Sequence, residues 1–333
     1  MTNRPGTIYW IDHAVVCTND ADRWERFINP ALGARTLRGE ENVPPSVGYF
    51  IACTRSRLGG FKTGRPLPPS RGLGKGLPRY AFYVHAADLD AHRRRLDALG
   101  APQSDPVRTS ADGEAGTAIY FQDPDANEFE FWAPDVLPEG AMVDCGPERV
   151  GHLSHGTFES RDLDRTAAFF ERYCALEPRR GNDIDARSLV LPLVCGGRLV
   201  FHQVDDLGGR TEGCGLPDAH TALLVRVEDY FSNYRRMWSE LPEWNFDAKV
   251  NYGEPVPDAA TLTPRTVKHG SPAGRRLHAL TQRGDDWIDP DSNMFHFYGG
   301  TPVADSMAVY DTVSLDHFLG RWEREGLLTE VGR

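Results

Sequence analysis

Hydrophobic and polar positions along this chain follow one order four times. Residues 11–34, IDHAVVCTNDADRWERFINPALGA, run from an apolar strand with a single histidine through an acidic turn into an amphipathic stretch. Residues 153–178, LSHGTFESRDLDRTAAFFERYCALEP, repeat it. There Leu163, Ala167, Phe170 and Cys174 recur at helical spacing, and Asp162 stands where an N-cap belongs. Weaker copies occupy 79–101, with Gly100 as the C-cap, and 220–241. Strand-like runs follow the copies: GYFIAC, TAIYF with EFEFW, SLVLPL with RLVFHQV, and LHALTQ with MFHFYG. The pattern predicts an α+β protein of four βαβββ units paired into two domains, residues 1–135 and 151–303. A linker at 136–150, marked by proline and glycine, joins them. A helical tail follows at 304–333, with Leu315, Phe318, Leu319 and Trp322 on one apolar face. It caps its own domain or packs on a neighbouring subunit of a homo-oligomer, and the pattern leaves both open.

Spacing supports the repeat and locates an insertion. From His13 to Arg79 is 66 positions and from His155 to His220 is 65, so the first units of both halves match. From Arg79 to Asp123 is 44 positions, whereas His220 to Asp289 is 69. The fourth unit therefore holds about 25 extra residues, within 242–276, rich in Pro, Gly and Thr. A loop this long inside a domain is more often functional than idle, and it reads as a lid over a pocket.

Composition narrows the class. With 40% hydrophobic and 26% charged residues the chain is of globular type. A net charge of −11, spread along the sequence, argues against non-specific nucleic-acid or anionic-membrane partners. The run HRRRL at 92–96 reads as the wet face of a helix. Six cysteines without a C-x-x-C pair read as reduced thiols or core residues. No run approaches a membrane span and the N-terminus lacks the apolar core of a signal peptide, so the expected location is the cytoplasm.

One phrase occurs twice with a single telling change. AIYFQDPDANEFEFW (118–132) and WIDPDSNMFHFYGG (287–300) share the turn Asp-Pro-Asp-x-Asn and an alternating aromatic strand. Where the first has Glu130, the second has His296.

The DHAVV and SHGTF opening strands, the acidic helix starts and the two DPD-x-N-x-F turns resemble the vicinal oxygen chelate superfamily over roughly residues 8–300. That group includes glyoxalase I, bleomycin- and fosfomycin-resistance proteins and type I extradiol dioxygenases. The layout of four units in two domains looks most like the dioxygenases. In that family the C-terminal domain holds iron through His, His and Glu, from the first strands of its two units and the last strand of the second. These positions here are His155, His220 and His296, so the resemblance implies a metal site in which imidazole replaces the carboxylate. The rival third ligand is Glu254 on the lid. His202, beside Val200 on the last strand of the third unit, reads as outward or supporting. His13 and Glu130 also stand at ligand-like positions in the N-terminal half, but Arg79 takes the third place there. An always-charged guanidinium repels a cation, so an Arg79–Glu130 ion pair is the expected arrangement.

A three-histidine site is one charge more positive than the family's, which favours anionic, chelating substrates. The expected function is a metal-dependent, Fe(II) and O2, dioxygenase acting on a catechol-like or enolisable aromatic. Zn, Ni, Co and Mn are the alternative metals. The alternatives in function are a non-redox isomerase, lyase or hydrolase using a Lewis-acid metal, and a metal-free protein that binds a small molecule in an aromatic cleft. Acid–base candidates are His269 and Tyr252 on the lid, His278 on a strand, and Tyr298, two residues past His296 on the same strand face.

Overall fold

The computed structural model describes residues 8–37, 48–53, 56–62, 66–67, 69–110, 113–138, 141–142, 148–180, 186–193, 196–205, 220–225, 286–288 and 294–299. In the last three of these segments side chains are described only at 221–223. The lid 242–276 with Tyr252, Glu254 and His269, as well as His278 and the tail 304–333, lie outside the described residues.

The first unit is β1 (Ile8–Thr18), α1 (Ala21–Leu32), β2 (Arg35–Leu37), β3 (Gly48–Cys53) and β4 (Ser56–Lys62). The second is β5 (Arg79–Tyr83), α2 (Leu89–Ala98), β6 (Val107–Thr109), β7 (Gly116–Gln122) and β8 (Glu128–Pro134). The third gives β9 (Leu153–Ser160), α3 (Leu163–Cys174), β10 (Ser188–Pro192) and β11 (Arg198–Gln203). The fourth contributes β12 (His220–Val225), β13 (Asp286–Ile288) and β14 (Met294–Gly299). The helices sit where spacing and caps put them. In α1 the buried set Trp24, Phe27, Ile28 and Ala31 forms one face; Asp20 caps its start by accepting from the Arg23 N–H, and Gly33 ends it in a left-handed conformation (φ 61°). Asp162 caps α3 in the same way, accepting from Asp164 and Arg165.

Strand pairing departs from the sequence expectation that consecutive units pair. One seven-stranded sheet has the order β13-β14-β12-β1-β4-β3-β2, and the other β10-β11-β9-β5-β8-β7-β6. The first unit therefore joins the fourth, and the second joins the third. The junctions are antiparallel pairs of opening strands, β1 with β12 and β9 with β5. Four similar units present four similar opening strands, so local patterning does not say which two meet.

Each sheet has one face on a shared core. Along β8, Phe129 and Phe131 join this core, with Tyr80 and Phe82 of β5, Phe158 of β9 and Trp10 of β1. The Tyr80 hydroxyl and Thr221 Oγ1, 2.8 Å apart, tie β5 to β12 across the two sheets. The opposite face of β8 carries Glu128, Glu130 and Trp132, also buried. The DPD-x-N turn fixes the second unit to the first. Asp123 accepts from the backbone N–H groups of Asp125 and Asn127, and burial pushes its carboxyl up to about 7. Asp125 accepts from Asn19 Nδ2 at 3.1 Å and pairs with Arg23, while Asn127 Nδ2 donates to the Cys17 carbonyl. The turn thus holds the end of β1, the strand that carries His13.

The Arg-rich run on α2 is only partly wet. Arg94 is exposed, but Arg95 reaches the Glu148 carbonyl and His92 is fully buried on the Phe131 ring at 4.5 Å. Burial, aided by Arg95, lowers the His92 pKa to about 4. The imidazole is then neutral in the fold and protonated in the unfolded chain between pH 4 and 6.5. Its contribution is present above pH 6.5 and lost as pH falls toward 4, a span of roughly 3 kcal/mol. Chemical denaturation at pH 7 and 4.5 checks this: His92→Leu is expected to shrink the difference in stability between the two pH values.

Candidate functional site

The two sheets are equivalent in register, and this equivalence defines two comparable sites. In the second sheet His155 of β9 stands opposite Ala81 of β5, and Ala81 opposite Glu130 of β8. In the first sheet His13 of β1 stands opposite Ala222 of β12, and Ala222 opposite His296 of β14. Two residues before each central alanine are Arg79 and His220. On the other flank His155 faces Arg198 and His13 faces Arg57. The set His155, Arg79, Glu130, Arg198 thus corresponds position by position to His13, His220, His296, Arg57.

In the second sheet the side chains converge. His155 Nε2 lies 3.5 Å from Glu130 Oε2, and Arg79 Nε donates to that same oxygen at 3.1 Å, all three groups being buried. Two donors sharing one ion at about 2.1 Å each in tetrahedral geometry sit roughly 3.4 Å apart. The positions are spaced for a metal, but Arg79 stands in its place. Its guanidinium also donates to the Gly74 carbonyl at 3.0 Å and lies over the Tyr120 ring. The ion pair expected from sequence is present, and these residues do not fit a cation. The segment from Ser70 to Gly76 closes this side: Arg71 pairs with Glu159, Ser70 accepts from Gln122, and the Gly74 N–H donates to Glu128. Burial pushes the Glu128 carboxyl above its ordinary range, against the hydrogen bonds from Gln122 and Gly74.

The first sheet holds different chemistry at the same places. A register shift between Ile11 and His13 leaves Asp12 as the extra residue of a β-bulge, which turns its side chain toward that of its neighbour. His13 Nδ1 lies 2.7 Å from Asp12 Oδ2, and Arg57 Nη2 donates to this same oxygen at 2.7 Å and lies 3.1 Å from Nδ1. A carboxylate oxygen accepts, so the 2.7 Å contact to Asp12 favours a proton on Nδ1, whereas the longer contact from Arg57, which only donates, favours a lone pair there; the shorter contact points to the Nδ1–H form. This is the carboxylate–histidine arrangement that supports a metal ligand, and it fits a divalent ion. The Phe50 ring meets His13 edge-on at 5.4 Å, with the Arg57 guanidinium over its face at 5.0 Å.

The expected trio of His155, His220 and His296 is therefore divided. His155 lies in the second sheet beside Glu130, while His220 and His296 are on β12 and β14 of the first sheet, whose side chains there lie outside the described residues. The position equivalent to His155 in the first sheet is His13. Tyr298 is likewise on β14, its side chain outside the described residues. Val200 faces Thr157, two residues beyond His155, and its counterpart facing Val15 is Gly59. His202 is half-buried at the far end of β11. Strand β4, SRLGGFK, is not among the strands expected from the sequence, and its paired glycines weaken its strand character. Here packing requires them: a Cβ at Gly60 would lie 2.2 Å from the Trp24 ring, and one at Gly59 2.9 Å from Phe50 and Val15. No group of three or more His, Cys, Asp or Glu able to hold a metal is found among the described residues.

Residues 10–131 match the family model of the Glyoxalase/Bleomycin resistance protein/Dioxygenase superfamily. Those residues carry a domain of that superfamily. No curated protein matches the sequence. Among solved structures, a "putative dioxygenase" from Bacillus subtilis shares the fold with a TM-score of 0.59 at 13% identity, covering 98% of this chain and 96% of that one. Glyoxalase I from Zea mays aligns with a TM-score of 0.52 at 15% identity, over 87% of this chain and 92% of its own. At such identities the likeness is one of fold. No helix among the described residues is long and apolar enough to cross a membrane.

Proposed function

We propose that the protein is a metal-dependent oxygenase, using Fe(II) and O2 on a catechol-like or enolisable aromatic. Its metal is held by His13, His220 and His296 in the first sheet. One observation carries the reading: these histidines occupy the register positions at which His155, Arg79 and Glu130 come together in the second sheet. The site is built from the beginning of the chain and from its second half.

Fe(II) bound there would supply Lewis acidity toward two vicinal substrate oxygens and one-electron exchange with O2. The chain's own residues do the rest. His13, held at Nδ1 by Asp12, presents Nε2 in a fixed direction. Three neutral imidazoles leave the ion's full charge in place, which favours an anionic chelating substrate. Gly59 puts no side chain at the fourth ligand-like position, so only three protein ligands come from these strands. Phe50 offers an aromatic wall beside His13. Tyr298, His269, Tyr252 and His278 remain the candidates for moving the substrate proton, and Glu254 the rival ligand.

Protein purified without chelators and analysed for metal, then mixed with catechol in an oxygen electrode, tests the proposal. About one iron per chain with oxygen consumption and a ring-cleavage chromophore is expected. Stoichiometric zinc with no oxygen uptake over a panel of catechols and hydroxyketones would contradict it.

A further inference from the structure

We infer that Asp12, itself held by Arg57, is a positioning residue for the metal centre, fixing the tautomer and direction of His13; the inference rests on the proposed centre. Both sheets carry the same bulge one residue before the histidine. The register passes from Ile11 to His13 in β1 and from Leu153 to His155 in β9, leaving Asp12 and Ser154 as the extra residues. Both side chains bond the neighbouring Nδ1, Asp12 at 2.7 Å and Ser154 Oγ at 2.6 Å. Each histidine also faces an arginine, Arg57 or Arg198, at the same register position. The backbone device and the arginine are thus common to both sheets. What differs is the group behind the histidine: a carboxylate where three histidines line up, and a hydroxyl where Arg79 excludes a cation.

That difference has chemical content. A serine hydroxyl both donates and accepts, so it leaves the tautomer of His155 unspecified. Asp12, fully buried, accepts from Arg57, 1% exposed beside it, through the same oxygen that meets His13 Nδ1, and so selects the Nδ1–H form of His13. A carboxylate on the far nitrogen also raises the basicity of the ligating one. Arg57 donates to Asp12 Oδ2, the oxygen that faces His13, and so fixes the carboxylate as well as neutralising it.

The test compares wild type, Asp12→Ser, Asp12→Asn and His13→Ala. Asp12→Ser installs the residue that this fold already accommodates at position 154. Iron and zinc affinities are measured on apo-protein by competition with a chromophoric chelator, and the His13 tautomer by long-range ¹H–¹⁵N NMR of apo-protein. Asp12→Ser and Asp12→Asn are expected to weaken metal binding by about 10–100-fold, with thermal unfolding still cooperative. Wild-type His13 is expected as the Nδ1–H form, and in Asp12→Ser that form no longer dominates. The inference is overturned if wild-type His13 is the Nε2–H tautomer, a result that needs no variant to fold. It is also overturned if both Asp12 variants bind metal within about twofold of wild type while His13→Ala loses it. Metal retained in full by His13→Ala sinks the proposed centre instead, and the two failures are thereby told apart.

Discussion

Replacing His13 by alanine is expected to abolish metal binding, whereas replacing His155 is expected to leave it intact. The contrast is large because the two histidines are equivalent in sequence pattern and register but not in surroundings. His13 shares its sheet with His220 and His296, and its Nδ1 is occupied by Asp12. His155 shares its sheet with Arg79 and Glu130, already joined as an ion pair. Loss of one of three protein ligands should weaken the ion by at least about 100-fold, more than loss of an outer-shell partner. His155→Ala removes a buried ring beside Glu130 and Trp132 and is expected to cost about 1–3 kcal/mol of stability with metal content unchanged. Metal analysis after gel filtration, with denaturant titration of the same samples, reads both effects.

Arg79→His is expected to give the protein a second metal. The substitution leaves Glu130 without the guanidinium that neutralises it, and removing one partner of a buried ion pair costs about 3–5 kcal/mol. It also places an imidazole where the first sheet has His220. His155 and Glu130, 3.5 Å apart at the atoms facing each other, are already spaced for one ion. The apo-variant should therefore be less stable than wild type and recover on adding Zn or Fe(II), since a ligand bound only by the folded state stabilises it. Two metal equivalents per chain, and a melting temperature rising with metal concentration more steeply than for wild type, are the expected readings. A variant that stays at one equivalent would show that the second sheet lost more than a ligand when Arg79 took its place.

Much of this molecule was legible in its sequence. The helical spacing in 163–174, the Asp162 cap and the DPD-x-N turn at 123–127 each found their element, because each is set by neighbours within a few residues. The Arg79–Glu130 pair was legible for a different reason: a permanent cation and a carboxylate at ligand-like positions admit few arrangements. What the sequence withheld was long-range. The pairing of β1 with β12 and of β9 with β5 joins residues far apart along the chain, and four look-alike units offer several consistent pairings. That choice moved the proposed first ligand from His155 to His13. The bulge at Asp12 was hidden too, since IDH and LSH read as unbroken strands; only the register reveals that one residue is extra. β4 escaped because its glycines, required by Trp24 and Phe50, lower its apparent strand character.

One metal is proposed in the first sheet, between the beginning of the chain and its second half. Crystals of the iron- or zinc-loaded protein, measured at the absorption edge, test it most directly. One anomalous peak within about 2.0–2.3 Å of imidazole nitrogens of His13, His220 and His296 is expected, and none between His155 and Glu130. A peak at His155, or none at His13 in metal-saturated crystals, would contradict it.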